Sequence, residues 1–311
     1  MSTLINGLPP DPILERRELI QLRASQTIKR RTMVSRVLTG LLWTGLVIAL
    51  IPLGSVVLAL LDKGVRFLGW HFFTALPQLP SLSSLNKIGG IGNAIAATLV
   101  IDALAALVAV PIGVVVGLYL AEGSSRPANF MRGVVEIMTG MPSILLGVFA
   151  YEYFVVAMKG YSGIAAVIAL SMLMVPVIAK AAELAFTAVP RSLREAALAL
   201  GARESRVARQ VVFPSALPGV LTGVLLALAR AVGETAPVLL VVGPTISNLW
   251  NWNPLKPMTP MPMLIFGYAN SQYPSQRAAA WGVALTLVAL VVILTTSSRL
   301  ISARMRRERH G

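Results

Sequence analysis

Apolar residues in this chain run in long unbroken stretches and do not alternate with polar ones at strand spacing. The stretches cover approximately residues 37–61, 93–120, 133–157, 162–182, 212–242 and 279–300. A helix rises about 1.5 Å per residue and the hydrocarbon layer of a bilayer is about 30 Å thick, so roughly 20 apolar residues span it. Each stretch reaches that length. The pattern predicts an all-α polytopic membrane protein with about six transmembrane helices. The connecting segments are of two kinds. Some are short and basic, whereas 62–92 and 243–278 are long and rich in Pro, Gly, Ser and Asn.

Composition agrees with this reading. Of 311 residues, 56% are hydrophobic and 13% charged, roughly half the charged fraction of a soluble domain. The net charge of +14 would suit a nucleic-acid partner, but the basic residues gather at the ends of the apolar runs, so no nucleic acid is expected. Lys and Arg are retained in cytoplasmic loops. With the N-terminus inside, the N-terminal arm, the loop near 121–132, the loop near 180–211 and the C-terminal tail together hold 20 basic residues, and the outside segments hold 6. Both termini are therefore expected in the cytoplasm. The organisation predicted is a basic arm over 1–36, a transmembrane domain over 37–302 and a basic tail over 303–311. No signal-peptide pattern opens the chain, so the first span reads as an uncleaved anchor. Glu15–Arg31 suits either an interfacial helix or a disordered tail.

Cysteine is absent, which excludes disulfides and thiolate chemistry. His71 and His310 have no ligand at metal spacing and read as ordinary surface residues. Gly89-Gly90-Ile91-Gly92 lacks the lysine of a phosphate-cradling loop and reads as a flexible lead-in to the second span. The aromatic residues of Trp250-Asn251-Trp252-Asn253-Pro254 suit the membrane interface. The two long outer loops would either receive a soluble partner or cap the bundle.

The loop before the fifth span has more order than a linker needs. Pro190 suits a first helical turn. Residues 191–200 are strong helix formers, with Leu193, Ala197 and Leu200 expected on one face. Gly201 is placed to close that helix in the left-handed conformation. A second basic helix then leads to Pro214. An apolar ridge on such a corner suits a helix held in another protein's groove, or one lying on the membrane surface.

The spacing Glu195-Ala196-Ala197, three residues, Gly201, nine residues, then Val211, Phe213 and Pro214 resembles the Glu-Ala-Ala loop of permease subunits in binding-protein-dependent ABC importers. Val211 and Phe213 stand where that motif has Ile and Leu. The resemblance implies a type I importer permease fold, with 190–211 as a coupling-helix loop. It makes Glu195, Ala196, Ala197 and Gly201 part of an ATPase-docking element. It also implies that ATP is bound by a separate chain and that this subunit carries no cofactor.

Within the fifth run stands Ala229-Arg230-Ala231-Val232-Gly233-Glu234-Thr235-Ala236-Pro237. A central arginine in a span costs at least about 2.5–3.5 kcal/mol on insertion scales, and a spacing of four residues puts Arg230 and Glu234 on one helix face. That face is expected to point into the bundle or a wet pathway. Two readings stay open: an anion-handling site in which the arginine fork meets oxyanion oxygens, or an ion pair that fixes packing. Asp102, Glu136, Glu152 and Lys180 are weaker candidates for pairing or pathway. Pro142 and Ser143 predict either a kink or a break in the third span.

The Arg230–Pro237 string, together with Gly140-Met141-Pro142-Ser143-Ile144-Leu145-Leu146-Gly147 and Ile91-Gly92-Asn93-Ala94-Ile95-Ala96, resembles the PstA-type permease of phosphate importers. The likeness covers roughly 90–300. It implies a bacterial inner-membrane subunit that moves inorganic phosphate, with Arg230, Glu234 and Thr235 on the substrate path. The partners implied are a PstC-like second permease, a dimer of ATPase subunits, an extracytoplasmic phosphate-binding protein and membrane lipid. The rival readings are a permease for molybdate or sulfate, an ion-coupled secondary carrier, and a membrane-anchored sensor.

Overall fold

The computed structural model describes residues 12–78, 89–123, 125–243 and 249–307. These residues form twelve α-helices: α1 Pro12–Gly64, α2 Trp70–Thr74, α3 Gly92–Glu122, α4 Arg126–Gly140, α5 Ser143–Ala150, α6 Gly163–Thr187, α7 Arg191–Ala199, α8 Glu204–Val207, α9 Phe213–Val232, α10 Ala236–Val242, α11 Met261–Ala269 and α12 Pro274–Arg307. Two π-helical turns, Tyr151–Val156 and Ala208–Val212, extend α5 and join α8 to α9. The residues up to Ala59 and those from Leu60 onward are two separate units.

Five helical segments are long and apolar enough to cross a bilayer: Arg31–Phe67, Gly92–Glu122, Gly163–Thr187, Glu204–Val232 and Pro274–Ser297. A sixth span results if the bent pair Arg126–Gly140 and Ser143–Val156 is counted as one. The first run lies within α1, which begins at Pro12, so Glu15–Arg31 is helical and continuous with the apolar segment. The tail beyond Arg307, with His310, lies outside the described residues.

The third apolar run differs from the sequence expectation of a single span over 133–157. α4 ends at Gly140, Met141 and Pro142 are extended, and α5 leaves at 99° to α4. The break follows from proline chemistry, because a residue before proline is pushed out of the helical region. Met141 has φ −69° and ψ 137°. Pro142 is therefore a break and not a kink. The fifth run is also interrupted: α9 stops at Val232, and Gly233–Thr235 separate it from α10. Pro237 fits the first turn of α10, where no backbone N–H is needed.

The bundle is centred on α6, the most buried of the spans. Without a hydrophobic driving force in lipid, helices associate by close backbone approach over small residues. Two pairs of glycines four residues apart provide this on two neighbours of α6. On α3, a Cβ at Gly113 would lie 2.7 Å from Ile178, and one at Gly117 would lie 2.5 Å from Ala182. On α9, a Cβ at Gly219 would lie 2.8 Å from Ala185, and one at Gly223 would lie 2.2 Å from Ala181. Ser171 donates to Val167 O at 2.7 Å and to Ala105 O at 3.2 Å, a polar link between α6 and α3.

Parts of the long connections are packed against the bundle. Gly89–Gly92 is no flexible lead-in: Ile91 is fully buried, Pro77 pairs with Gly89 as an isolated bridge, and Gly92 fits beneath Trp250. A Cβ at Gly90 would meet the Ala75 carbonyl oxygen at 2.4 Å. In the second connection, α11 buries Met261, Met263, Leu264 and Tyr268. The Met261 amide donates to Thr98 Oγ1 at 2.8 Å, fixing the start of α11 to α3. Residues 249–252 stay at the surface, with Trp250 and Trp252 stacked at 6.0 Å between ring centroids. Of the two expectations for the outer loops, capping describes 258–269.

Candidate functional site

Two places combine chemistry with geometry: the α7–α8 corner and the interruption between α9 and α10. The corner is closed as the sequence expects. Gly201 has φ +81°, the left-handed region in which a side chain would be strained. The Ala202 amide donates to Ala197 O at 3.2 Å and the Gly201 amide donates to Leu198 O at 2.9 Å. That pair of bonds is the Schellman arrangement, which satisfies carbonyls left open at a helix end. Ala197 and Ala202 pack against the bundle core beneath it.

The apolar ridge is not the one expected. The helix ends at Ala199, so Leu200 leaves the face shared by Leu193 and Ala197. Ala197 turns inward, while Leu193, Leu198 and Leu200 are exposed, Leu200 by 90%. Glu195 and Ala196 are exposed on the same short helix. Pro190 sits just before the helix, and the Leu193 amide donates to its carbonyl at 3.2 Å.

The corner is tied to the bundle by residues that sequence reading counted only as loop charges. Arg194 pairs with Glu122 at the end of α3 and donates to Phe186 O on α6 at 3.0 Å. Arg132 on α4 donates to Glu183 of α6 at 2.9 Å, to Asn129 Oδ1 at 2.8 Å and to Leu120 O of α3 at 2.9 Å. Lys180 and Glu136 form an ion pair at 3.6 Å, so both are paired. The Phe213 ring packs against Phe186 at 6.0 Å between centroids, tilted by 32°, continuing the contact of the loop with α6. A displacement of α7 is thus linked to the ends of α3 and α6.

Arg230 occupies the last turn of α9 and not the middle of a continuous span, because the helix stops two residues later. Glu234 lies beyond that helix end. The pair still forms, with Nε to Oε1 at 3.5 Å. The Arg230 side chain is 48% exposed and that of Glu234 is 17% exposed. The contrast with Arg132 and Arg194 is chemical. Those two direct several N–H groups at fixed protein acceptors, whereas Arg230 makes this one long contact among the described residues. A guanidinium carries five N–H donors, so most of those on Arg230 remain available. Thr235 stands at the start of α10, half-buried, with the Leu239 amide donating to its carbonyl at 2.9 Å.

The broken third and fifth runs meet between α5 and α10. A Cβ at Gly147 of α5 would lie 2.6 Å from Pro237 Cα and 3.0 Å from Pro237 O of α10. The two sequence strings Gly140–Gly147 and Arg230–Pro237 are therefore brought into backbone contact. Of the other candidates, Asp102 is buried within α3, with no ion-pair partner among the described residues. Glu152 is exposed on the π turn, and His71 is exposed on α2.

Residues 109–307 match the family model described as "Binding-protein-dependent transport system inner membrane component". The chain is 34% identical over 269 residues to the phosphate transport system permease protein PstA of Haemophilus influenzae, covering 86% of this chain and 93% of that one. It is 36% identical over 219 residues to the PstA of Yersinia pestis, covering 70% and 73%. Among solved structures, a chain of the MetNI methionine ABC transporter in an inward-facing conformation superposes with a TM-score of 0.55 at 24% identity, over 67% of this chain and 93% of that one. That likeness concerns the all-helical fold, which is the fold of type I importer permeases. The chain thus belongs to the binding-protein-dependent transport system inner membrane components, and within them to the PstA-type ABC permease subunits.

Proposed function

We propose that this chain is the permease subunit through which an ATP-driven importer carries inorganic phosphate across a bacterial inner membrane. The observation that carries the reading is the glycine-closed α7–α8 corner in a chain 34–36% identical to permeases of phosphate transport systems. The named relatives favour phosphate over molybdate or sulfate, and membership of this family sets aside the ion-coupled carrier and the sensor. The chain is a transport subunit and catalyses no bond chemistry.

Its partners are a second, PstC-like permease, a dimer of ATPase subunits and an extracytoplasmic phosphate-binding protein. Both termini and the α7–α8 corner face the cytoplasm, a reading supported by the excess of basic residues in those segments. Exposed Leu193, Leu198 and Leu200, with Glu195 and Ala196, present the surface that enters an ATPase cleft. Closure of the ATPase dimer moves this corner, and the Arg194 links carry the movement to α3 and α6.

Arg230 holds the travelling oxyanion. Its open donors suit a bidentate grip on phosphate, and Glu234 at 3.5 Å weakens that grip so the anion is released. Phosphate uptake in cells carrying Arg230→Gln, with assembly of the complex followed in parallel, tests the assignment. Hydrogen bonds to a charged group contribute about 1.5–3 kcal/mol, so affinity is expected to fall roughly tenfold or more with an intact complex. Unchanged uptake overturns the role of Arg230. Loss of the complex assigns the pair to packing.

A further inference from the structure

Three arginines beside the docking corner take no part in the function described above. Arg203, Arg206 and Arg209 follow one another at spacings of three residues along α8 and the π turn. With Ser205 and Gln210 they line an open cleft of about 340 Å³. All three are exposed, and none has a carboxylate at ion-pair distance among the described residues. The one acidic residue in the segment, Glu204, lines a different cleft with Glu122, Arg194 and Val207. The helix is therefore divided: one side carries the anchoring contacts to the bundle, and the other carries only cations and neutral hydrogen-bonding groups. A π turn holds one more residue than an α turn, and Arg209 and Gln210, consecutive in sequence, both reach the cleft.

The position along the helix narrows the ligand. The segment Glu204–Val232 has 29 residues, about 43 Å at 1.5 Å per residue, against a hydrocarbon layer of about 30 Å. The excess falls at its charged end, before Val211, Val212 and Phe213 begin the apolar run. Arg203 to Arg209 covers about 9 Å along the axis, comparable with the headgroup layer of one leaflet. Unpaired guanidinium groups at that depth match phosphate oxygens in charge and in geometry.

We propose that the Arg203–Arg206–Arg209 cleft is a binding site for a phosphate group, presented by the headgroup of an anionic phospholipid or as the free ion. The site's place in the cytoplasmic leaflet rests on the orientation proposed above, but its ligand chemistry does not. The test uses the purified full-length chain, solubilised in detergent, with retained lipid counted by native mass spectrometry. Phosphatidylglycerol is compared with phosphatidylethanolamine, and inorganic phosphate is added as competitor. Wild type is expected to retain phosphatidylglycerol at least about tenfold over phosphatidylethanolamine. The triple variant Arg203→Gln, Arg206→Gln, Arg209→Gln is expected to lose that preference. Gln210→Glu, which leaves the arginines in place and adds a carboxylate to the cleft, is expected to weaken it severalfold.

Retention that resists millimolar phosphate assigns the site to lipid. Displacement by phosphate, itself lost in the triple variant, assigns it to the free ion. Equal retention of both lipids, or retention unchanged in the variants, overturns the proposal. So does a variant that keeps lipid and phosphate binding but no longer copurifies with an ATPase subunit, since the arginines would then be a protein contact. A micelle has no sides, so an error in the proposed orientation leaves these readouts unchanged.

Discussion

Glu234 opposes the anion that Arg230 is proposed to hold, and the two residues therefore predict opposite effects. Glu234→Gln keeps a side chain of the same shape and removes the countercharge at 3.5 Å. Uptake is expected to show a lower KM and a lower maximal rate, because the anion is held more strongly and leaves more slowly. A structural pair predicts something different: loss of assembled protein with KM unchanged in what remains. Uptake kinetics alongside the amount of complex in the membrane separate the two. At Gly147 the constraint is steric. A methyl group there would press on the Pro237 backbone at 2.6 Å, while one at Gly140 would meet nothing within 4 Å. Overpacking of this kind costs about 1–3 kcal/mol. Gly147→Ala is expected to lower the temperature at which the purified protein loses its monodisperse peak, and Gly140→Ala to leave it nearly unchanged.

At the scale of elements, the sequence is legible where the signal is local. Gly201 could be placed from a helical run followed by one glycine, and its Schellman bonds involve only residues 197–202. The apolar runs were equally local, and each became helix. The interruptions were harder to read because hydropathy is averaged over a window that extends across them. Proline alone did not reveal them: Pro111 and Pro176 lie inside α3 and α6, whereas Pro142 separates two helices. The anchoring arginines were illegible for another reason. Arg132 and Glu183 are 51 residues apart and Arg194 and Glu122 are 72 apart, so no periodicity links them. The corner itself gives a prediction at this scale. Gly201→Val places a β-branched residue at φ +81°, a conformation costing roughly 1–2 kcal/mol or more. The turn is expected to reopen and release Leu198 and Leu200 from their fixed display. Copurification of the ATPase subunit is then expected to fall severalfold, while the amount of permease in the membrane stays close to wild type. Undiminished copurification would show that the docking surface does not depend on this turn.

For the whole molecule, transport requires that the docking corner and the tryptophan-bearing loop lie on opposite sides of the bilayer. If the bent α4–α5 pair spans as one unit, six crossings place both termini on one side. If α5 turns back, the parity changes between α3 and α6, so the corner and residues 249–257 both exchange sides and the two termini come to lie on opposite faces. Charge favours the first arrangement: segments 121–132 and 180–211 both carry basic residues expected inside. The chain contains no cysteine, so a single introduced thiol reports its own side without background. Leu200→Cys stands on the corner at a position 90% exposed, and Trp252→Cys stands on the outer loop at one 63% exposed. In intact cells permeabilised only at the outer membrane, an impermeant maleimide is expected to label Trp252→Cys and to spare Leu200→Cys. Inside-out vesicles are expected to give the reverse. The reversed pattern, with Leu200→Cys labelled in cells and Trp252→Cys spared, would mean that α5 returns to the face from which α4 enters. The corner would then face away from the cytoplasm, where no ATPase subunit could reach it. The expected pattern, combined with the backbone contact between Gly147 and Pro237, would put two helix breaks within one crossing domain. Arg230 would then stand at the α9 edge of the second break, where a path through the bundle needs a charge able to hold an anion and release it.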